Sequence, residues 1–308
     1  MTSDAVGPPS TVGTGSRSGT AVGRVTPRRG SPTRRHSRVG AVVNQTLLSI
    51  VALLFLAPMV WMVLSALKPG AEVFSTPPKL FGSTIQWSNF RDAWSYLPFG
   101  RFILNTLLVS VLGTTITLVT SAMSAYAFAR LRFRFREGLF VLYLTTLIVP
   151  QEIIVIPMFL IMQRIGWVNS FQALILPWAF TAFGTFLLRQ FFLTIPIELE
   201  EAAKIDGAGH IRILTQVIAP IAAPAFAVLG VFTFITYWNS FLWPLIIIND
   251  TNHVTVPLGL QLFLGQNGQQ WQLLMAAATI SMAPTVLLVL ALQKYLVRGI
   301  ALSGLGGR

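Results

Sequence analysis

The stretch VVNQTLLSIVALLFLAPMVWMVLSAL, residues 42–67, is an apolar run without a charged side chain. It exceeds the roughly 20 residues that a helix needs to cross a hydrocarbon core of about 30 Å. Five further apolar runs follow, at residues 102–129, 138–163, 171–193, 215–248 and 271–297. In lipid every backbone polar group needs a partner within the chain, so runs of this length must be helices. The sequence therefore predicts an all-α integral membrane protein with six spans.

Composition supports the same class. Hydrophobic residues make up 54% of the chain and charged residues only 10%, against about 25% charged in an average soluble domain. The sequence has no cysteine, which excludes disulfides, thiolate metal sites and cysteine nucleophiles. No metal site is predicted.

The net charge of +12 would by itself suggest a nucleic-acid partner, but its distribution follows a membrane topology. With the N-terminus inside, most of the 22 Lys and Arg residues fall in cytoplasmic segments. The opposite side holds five, at Lys68, Lys79, Arg91, Arg101 and Arg164. Because short cytoplasmic loops carry the excess of Lys and Arg, both termini are predicted to be cytoplasmic.

Two domains are expected. Residues 1–41 are rich in Gly, Ser, Thr, Pro and Arg without apolar periodicity, and we interpret them as a disordered basic cytoplasmic tail. Residues 42–308 form the transmembrane domain. The pairs Arg28-Arg29 and Arg34-Arg35 imitate an export signal, yet the run after them is too long for a signal peptide and lacks a cleavage site. An uncleaved first span is the preferred interpretation.

The segment 68–101, between the first two spans, carries prolines, tryptophans and charges of both signs, so it is expected to be folded. Two functions stay open for it: contact with an external partner, or anchoring at the membrane interface through its aromatic residues. The basic run at 130–136 is expected at the opposite interface, because arginines at mid-bilayer cost about 2.5–3.5 kcal/mol each.

The loop TIPIELEEAAKIDGAGHIRIL, residues 194–214, lies between the fourth and fifth spans and is too polar to insert into the membrane. Thr194 is a candidate helix cap, Pro196 suits a first turn, and the glutamates favour the positive end of a helix dipole. Gly207 should end this short helix, since glycine accepts a positive φ. The pattern predicts a cytoplasmic helix-turn-helix over about 194–214, either a docking element or a well-capped interfacial helix.

This loop resembles the EAA loop of ATP-binding-cassette (ABC) importer permeases. That pattern has Glu-Ala-Ala, then Gly after three residues, then Ile-x-Leu-Pro after nine more. The chain has Glu201-Ala202-Ala203, Gly207 and VIAP at 217–220, so Val and Ala replace Ile and Leu while both positions stay apolar. The resemblance implies a type I importer fold in which Glu201, Ala202, Ala203, Asp206 and Gly207 couple the permease to an ATPase.

Further stretches resemble the carbohydrate-uptake branch, specifically its maltose-permease-G-like subunit: RFILNTLLVS at 101–110, YWNSFLWPLI at 237–246 and YLVRGIALSGLGG at 295–307. The resemblance implies sugar import across a bacterial inner membrane. Its implied partners are a second permease subunit, two copies of a cytoplasmic ABC ATPase and an external solute-binding protein. The chain has no G-x-x-x-x-G-K phosphate loop, so ATP and Mg²⁺ are expected on the ATPase, and the chain is not expected to be an enzyme.

Polar residues inside the spans are candidates for the translocation pathway, because they are costly in lipid. They are Asn105, Glu152, Trp238, Asn239 and Ser240. The alternative is that they hold neighbouring helices together. Glycerol phosphate or another small polar solute is the alternative cargo. An ion-coupled secondary transporter and a membrane scaffold without transport are the alternative functions.

Overall fold

The computed structural model describes residues 38–265 and 270–305, with side chains described over 42–265 and 270–293. The predicted disordered tail lies outside the described residues, except that helix already begins at Arg38. The chain divides into two units after Leu54. Residues 38–54 of the first unit are helical, and the packing contacts, the cavity and the site described below lie in the second unit.

All regular elements in these ranges are helices. The α-helices are α1 Arg38–Ala66, α2 Ser88–Tyr96, α3 Phe99–Arg130, α4 Arg136–Thr145, α5 Gln151–Arg164, α6 Phe171–Ile175, α7 Ala182–Thr194, α8 Glu198–Ile205, α9 His210–Ile213, α10 Ala219–Ile221, α11 Ala223–Trp238, α12 Leu242–Ile247, α13 Val256–Leu262 and α14 Trp271–Leu305. Short 3₁₀ turns extend α4 and α6 to Ile148 and Trp178, and a π-helical turn joins α9 to α10.

Three single helices are long and apolar enough to cross a membrane, and three bent pairs bring the number to six if each pair is one span. The single helices contain Val42–Ala66, Phe99–Arg130 and Trp271–Gln293. The pairs are Arg136–Ile148 with Gln151–Arg164, Phe171–Trp178 with Ala182–Thr194, and His210–Ile221 with Ala223–Trp238, bent by 98°, 47° and 85°. Six apolar segments therefore stand where the sequence predicts them.

Three predicted spans were wrong in being drawn as continuous helices. The third breaks at Pro150, which has no N–H and forces extended backbone on the residue before it. The fourth, drawn over 171–193, bends by 47° between Trp178 and Ala182. The fifth, drawn over 215–248, is bent at Ala222, just before Pro224, and is interrupted again between Trp238 and Leu242.

Helix α3 is the centre of the bundle and packs along both α7 and α11. At Gly113 the helices approach so closely that a Cβ would lie 2.6 Å from the Tyr237 ring, so only glycine fits. One apolar core surrounds the first half of α3 and includes Phe102 and Trp243. A second surrounds the last turns of α3 and includes Phe192.

The segment between α1 and α3 is folded, as predicted. The Lys68 ammonium is buried, donates to the Lys79 carbonyl at 2.7 Å and lies 4.3 Å from the Trp61 ring centre. The Asn89 amide donates to the carbonyls of Ala66 and Lys68 at 2.8 and 2.9 Å. These bonds fix the segment against the end of α1.

Candidate functional site

The loop between α7 and α9 forms a short helix followed by a turn. Helix α8 begins at Glu198 with three acidic residues in its first turn, which suits the positive end of the helix dipole. It ends at Ile205, and Gly207 follows with a φ of 80°, as predicted. The expectation that Thr194 caps this helix was wrong. Because α7 itself extends to Thr194, the hydroxyl donates to the Phe191 carbonyl instead.

This turn carries the five residues that the sequence selected for coupling. Glu201, Ala202, Asp206 and Gly207 are exposed, whereas Ala203 is half-buried and packs against the second core. Beside them Ile205 is 87% exposed and Ile211 is 78% exposed. An exposed surface with small side chains, two carboxylates and two isoleucines is suited to contact with another protein. We call this the α8 face.

The other side of α8 is anchored by a buried ion pair. The Glu200 side chain is 1% exposed, and its Oε1 lies 2.7 Å from Nε of Arg130, whose side chain is 8% exposed. The contact is a charge pair, off the axis of a good hydrogen bond. Nη2 of Arg130 also donates to the carbonyls of Phe192 and Ile195, both at 2.6 Å. Helix α8 is thus joined to the end of α3 and to the end of α7.

A second arginine links helices at the same end of α3. The Arg189 guanidinium, on α7, is paired with the Glu137 carboxylate at 2.9 and 3.0 Å. It also donates to the Phe128 carbonyl at 3.2 Å and lies 4.1 Å from the centre of the Phe140 ring. Helices α3, α4 and α7 therefore meet on this side chain.

A cavity of about 550 Å³ lies where two bent pairs break. Val149 beside the first break and Phe180 and Thr181 within the second all line it. Its aliphatic hydroxyl groups come from Thr117, Thr146, Thr181, Thr233, Thr236 and Ser240. Its aromatic side chains include Trp178, Phe180, Phe183 and Phe232. The indole N–H of Trp178 is buried and has no hydrogen-bond partner among the described residues.

The family follows from the sequence around these features. Residues 117–302, which include α8, the cavity and most of α14, match the family described as the binding-protein-dependent transport system inner membrane component. The chain belongs to this family. It is therefore a transport permease of the inner membrane.

Named relatives agree. The permease is 36% identical over 262 residues to the sn-glycerol-3-phosphate transport system permease protein UgpE of Pectobacterium atrosepticum, covering 82% of this chain and 92% of the relative. It is 34% identical over 278 residues to the probable ABC transporter permease protein YurM of Bacillus subtilis, covering 89% and 91%.

A solved structure confirms the fold. A chain of a bacterial ABC transporter that imports the acidic polysaccharide alginate superposes with a TM-score of 0.74 at 26% identity, covering 85% of the permease and 98% of that chain. The predicted class, an all-helical ABC importer permease domain, is thereby confirmed. A complex of the alginate transporter with its pentasaccharide-bound periplasmic protein shares the fold at a TM-score of 0.57 and 18% identity.

The five residues selected as pathway candidates do not lie together. The Asn105 amide is buried and donates to the carbonyls of Asn252 and Val254 at 2.7 and 2.9 Å. Trp238 is 2% exposed, and its indole N–H donates to the Ser281 carbonyl at 3.1 Å. Neither side chain lines the cavity. Each instead holds two parts of the permease together.

The remaining three candidates are accessible. Glu152 is exposed in the first turn of α5, and Asn239 is exposed just after α11. Ser240 is half-buried and lines the cavity.

Sequence reasoning missed the residues on the inner side of the site. Glu200 was one of three neighbouring glutamates, and Arg130 was one of four arginines in a basic run. A signal was present, because Glu200 and Ala203 stand three residues apart and therefore share one side of α8. Thr117 and Trp178 were passed over because single polar residues in apolar runs are common.

Proposed function

We propose that this permease forms half of the translocation pathway of an ABC importer for a sugar, energised by a separate cytoplasmic ATPase. The observation that carries the proposal is the α8 face: an exposed patch of small and acidic residues on a helix whose other side is anchored by a buried ion pair. A partner protein can bind the exposed side of such a helix while its other side stays attached to the bundle.

The proposed partners are a second permease subunit, two copies of the ABC ATPase and an external solute-binding protein. ATP and Mg²⁺ belong to the ATPase, and this chain carries out no catalysis. The α8 face and both termini lie in the cytosol, as the Lys and Arg distribution favours. The turn from Glu201 to Gly207 then meets the ATPase, whose closure moves α8 as a rigid body and shifts the bundle between inward-facing and outward-facing states.

The cavity is the proposed part of the pathway within this chain. Irregular backbone at membrane depth is tolerated only where it is buried in protein or lines a water-filled cavity, and two helix breaks line this one. Among the earlier candidates Ser240 belongs to it, and Glu152 and Asn239 extend the accessible surface near its helices. A pathway through Asn105 or Trp238 would require breaking the hydrogen bonds that hold them.

Sugar is preferred over a phosphorylated cargo. The described residues that line the cavity supply hydroxyls and aromatic faces, and no Lys or Arg is among them. A phosphate group would favour fixed cations. The glycerol-3-phosphate relative keeps that cargo as the second candidate, and the alginate transporter shows that a related fold imports a saccharide.

Uptake by the complete transporter in a strain that lacks the chromosomal gene tests the proposal. Gly207→Pro, and the double variant Glu201→Lys with Asp206→Lys, should abolish uptake while leaving membrane insertion intact. Arg132→Glu is the control, since it reverses an exposed charge near the end of α3 but outside α8. Normal uptake in the α8 variants would end the coupling assignment.

The cargo is tested in the same strain with a panel of radiolabelled neutral saccharides beside glycerol 3-phosphate. Uptake of glycerol 3-phosphate alone would replace sugar by the second candidate. Uptake that survives ATP depletion but collapses with the ion gradient would indicate a secondary transporter.

A further inference from the structure

Two successive glutamates of α8 point in opposite directions. Glu201 is exposed on the α8 face, whereas Glu200 is 1% exposed and lies against Arg130. Under the proposed function Glu201 meets the ATPase. The role of Glu200 is not explained by docking, because its carboxylate is not accessible to another protein.

Stability alone is a weak reason for the buried pair. Removing two charges from water is costly, and apolar residues of similar volume are often as stabilising as a buried ion pair. What the pair supplies is a short, directional connection between two elements. Arg130 is the last residue of α3, and its guanidinium also binds the carbonyl of Phe192 in the last turn of α7 and that of Ile195 just after α7.

A second connection runs beside the first. One helical turn before Arg130, the Tyr126 hydroxyl lies 3.2 Å from Nδ1 of His210, the first residue of α9. Helix α3 is therefore tied to the helix before Gly207 by Arg130 and to the helix after it by Tyr126. Both halves of the turn are held by one transmembrane helix.

Helix α3 also reaches the cavity. Thr117 lies on the same helix, more than two turns before Tyr126, and lines the cavity with its side chain 1% exposed. A displacement of α8 that is passed on to the end of α3 would thus reach the cavity wall along one continuous helix.

We propose that the Arg130–Glu200 pair is the latch that transmits movement of α8 to α3 during transport, with Tyr126–His210 as its auxiliary contact. The four residues of these two pairs are positioning residues. They act through the helices that they join and do not touch the cargo. The proposal rests on the proposed coupling function of α8. Loss of the latch leaves the ATPase docked and active but disconnects it from the cavity.

The test uses the complete transporter, purified through a tag on this chain and reconstituted into proteoliposomes loaded with ATP. Glu200→Gln keeps the size of the side chain and removes its charge. The ATPase should still co-purify with this variant and hydrolyse ATP within about twofold of wild type, while uptake per ATP hydrolysed falls about tenfold, within the usual range of coupling between sites.

A distance measurement separates transmission from general destabilisation. Because the chain has no cysteine, spin labels can be placed at Lys204→Cys on α8 and Met123→Cys on α3, both exposed. With the latch intact, the distance between the labels should be the same without nucleotide and after trapping with ATP, Mg²⁺ and vanadate. In Glu200→Gln it should change on trapping.

Two results would overturn the latch: unchanged uptake per ATP in Glu200→Gln, or a wild-type distance that changes on trapping. If Glu200→Gln does not fold, Arg130→Lys is measured in the same way. Lysine keeps the charge but cannot reach the Glu200 carboxylate and both backbone carbonyls, so the same loss of uptake per ATP is expected. Failure of the ATPase to co-purify with the wild-type chain would instead contradict the proposed function itself.

Discussion

The two ends of α3 bury polar side chains in different ways. Near its start, Asn105 on α3 and Asn89 on α2 donate to backbone carbonyls at the end of α1 and in the segments after α1 and α12. At its end, Arg130 and Arg189 are paired with carboxylates on α8 and α4. The first arrangement fixes loops in place, and the second joins whole helices. The start of α3 is thus suited to fixing the segments around it, and the end of α3 to transmitting movement between helices.

The largest expected effect is at the charged end. Arg130→Ala leaves the Glu200 carboxylate buried without its partner and two carbonyls without their donor. Breaking a buried pair in this way costs about 3–5 kcal/mol. The melting temperature of the detergent-solubilised protein should therefore fall strongly. Arg132→Ala, which removes an exposed arginine two residues away, should leave it unchanged, and equal melting temperatures would contradict the anchoring role.

A smaller effect is expected at the other end. Asn105→Ala leaves the Asn252 and Val254 carbonyls without a donor, at a cost of about 1–3 kcal/mol. The loss should appear in the melting temperature and as faster hydrogen exchange in residues 249–254. Ser95→Ala, which removes an exposed hydroxyl bonded within its own helix, serves as the control. Exchange in 249–254 that stays at the wild-type rate would show that Asn105 does not fix this loop.

A still smaller loss of stability is expected from alanine substitutions at the two glycines after α8, which separate the cost of backbone conformation from that of packing. Gly207 has a positive φ and Gly209 a negative one, and a Cβ at either position would meet no atom within 4 Å. Gly207→Ala should cost about 1–2 kcal/mol through the left-handed conformation alone. Gly209→Ala should cost clearly less. Equal melting temperatures for the two variants would mean that the turn relaxes.

The smallest effect concerns pH. Burial raises the pKa of the Asp250 carboxyl, but hydrogen bonds from the His253 side chain and from the backbone of His253 and Asn252 outweigh it and lower the pKa below its usual range. A depressed carboxyl pKa stabilises the loop above the unfolded pKa of about 3.9, and the stabilisation is lost as pH falls through the folded pKa.

Hydrogen exchange at the Asn252 and His253 amides, which both donate to Asp250 at 3.0 Å, would report this loss. After correction for the intrinsic pH dependence of exchange, protection should fall with acidification. It should show no such step in Asp250→Asn. An identical profile in the two proteins would assign the change to another group.

The sequence predicted the helical class, the six apolar segments and the end of α8 near Gly207, because length, hydropathy and a glycine at a helix end are local properties. It did not predict the bends. A proline in an apolar run is compatible with either a kink or a break, and the 98° bend at Pro150 depends on how neighbouring helices pack.

The site was only partly predictable for the same reason. Trp238 and Ser240 are two residues apart, yet one is buried against α14 and the other lines the cavity. Glu200 and Glu201 are adjacent, yet one is anchored and the other exposed. Composition cannot separate such neighbours, because the direction of each side chain is set by helix phase and by contacts far away in the chain.

The most direct test of the whole account is to place a single cysteine at Ala202 in this cysteine-free chain and a second one, in a separate variant, at Ile85, which is 68% exposed in the segment between α1 and α3. In intact spheroplasts an impermeant maleimide should label Ile85→Cys and spare Ala202→Cys, and in inverted vesicles Ala202→Cys should be labelled and should crosslink to the ATPase. Labelling of Ala202→Cys from the outside would contradict the account.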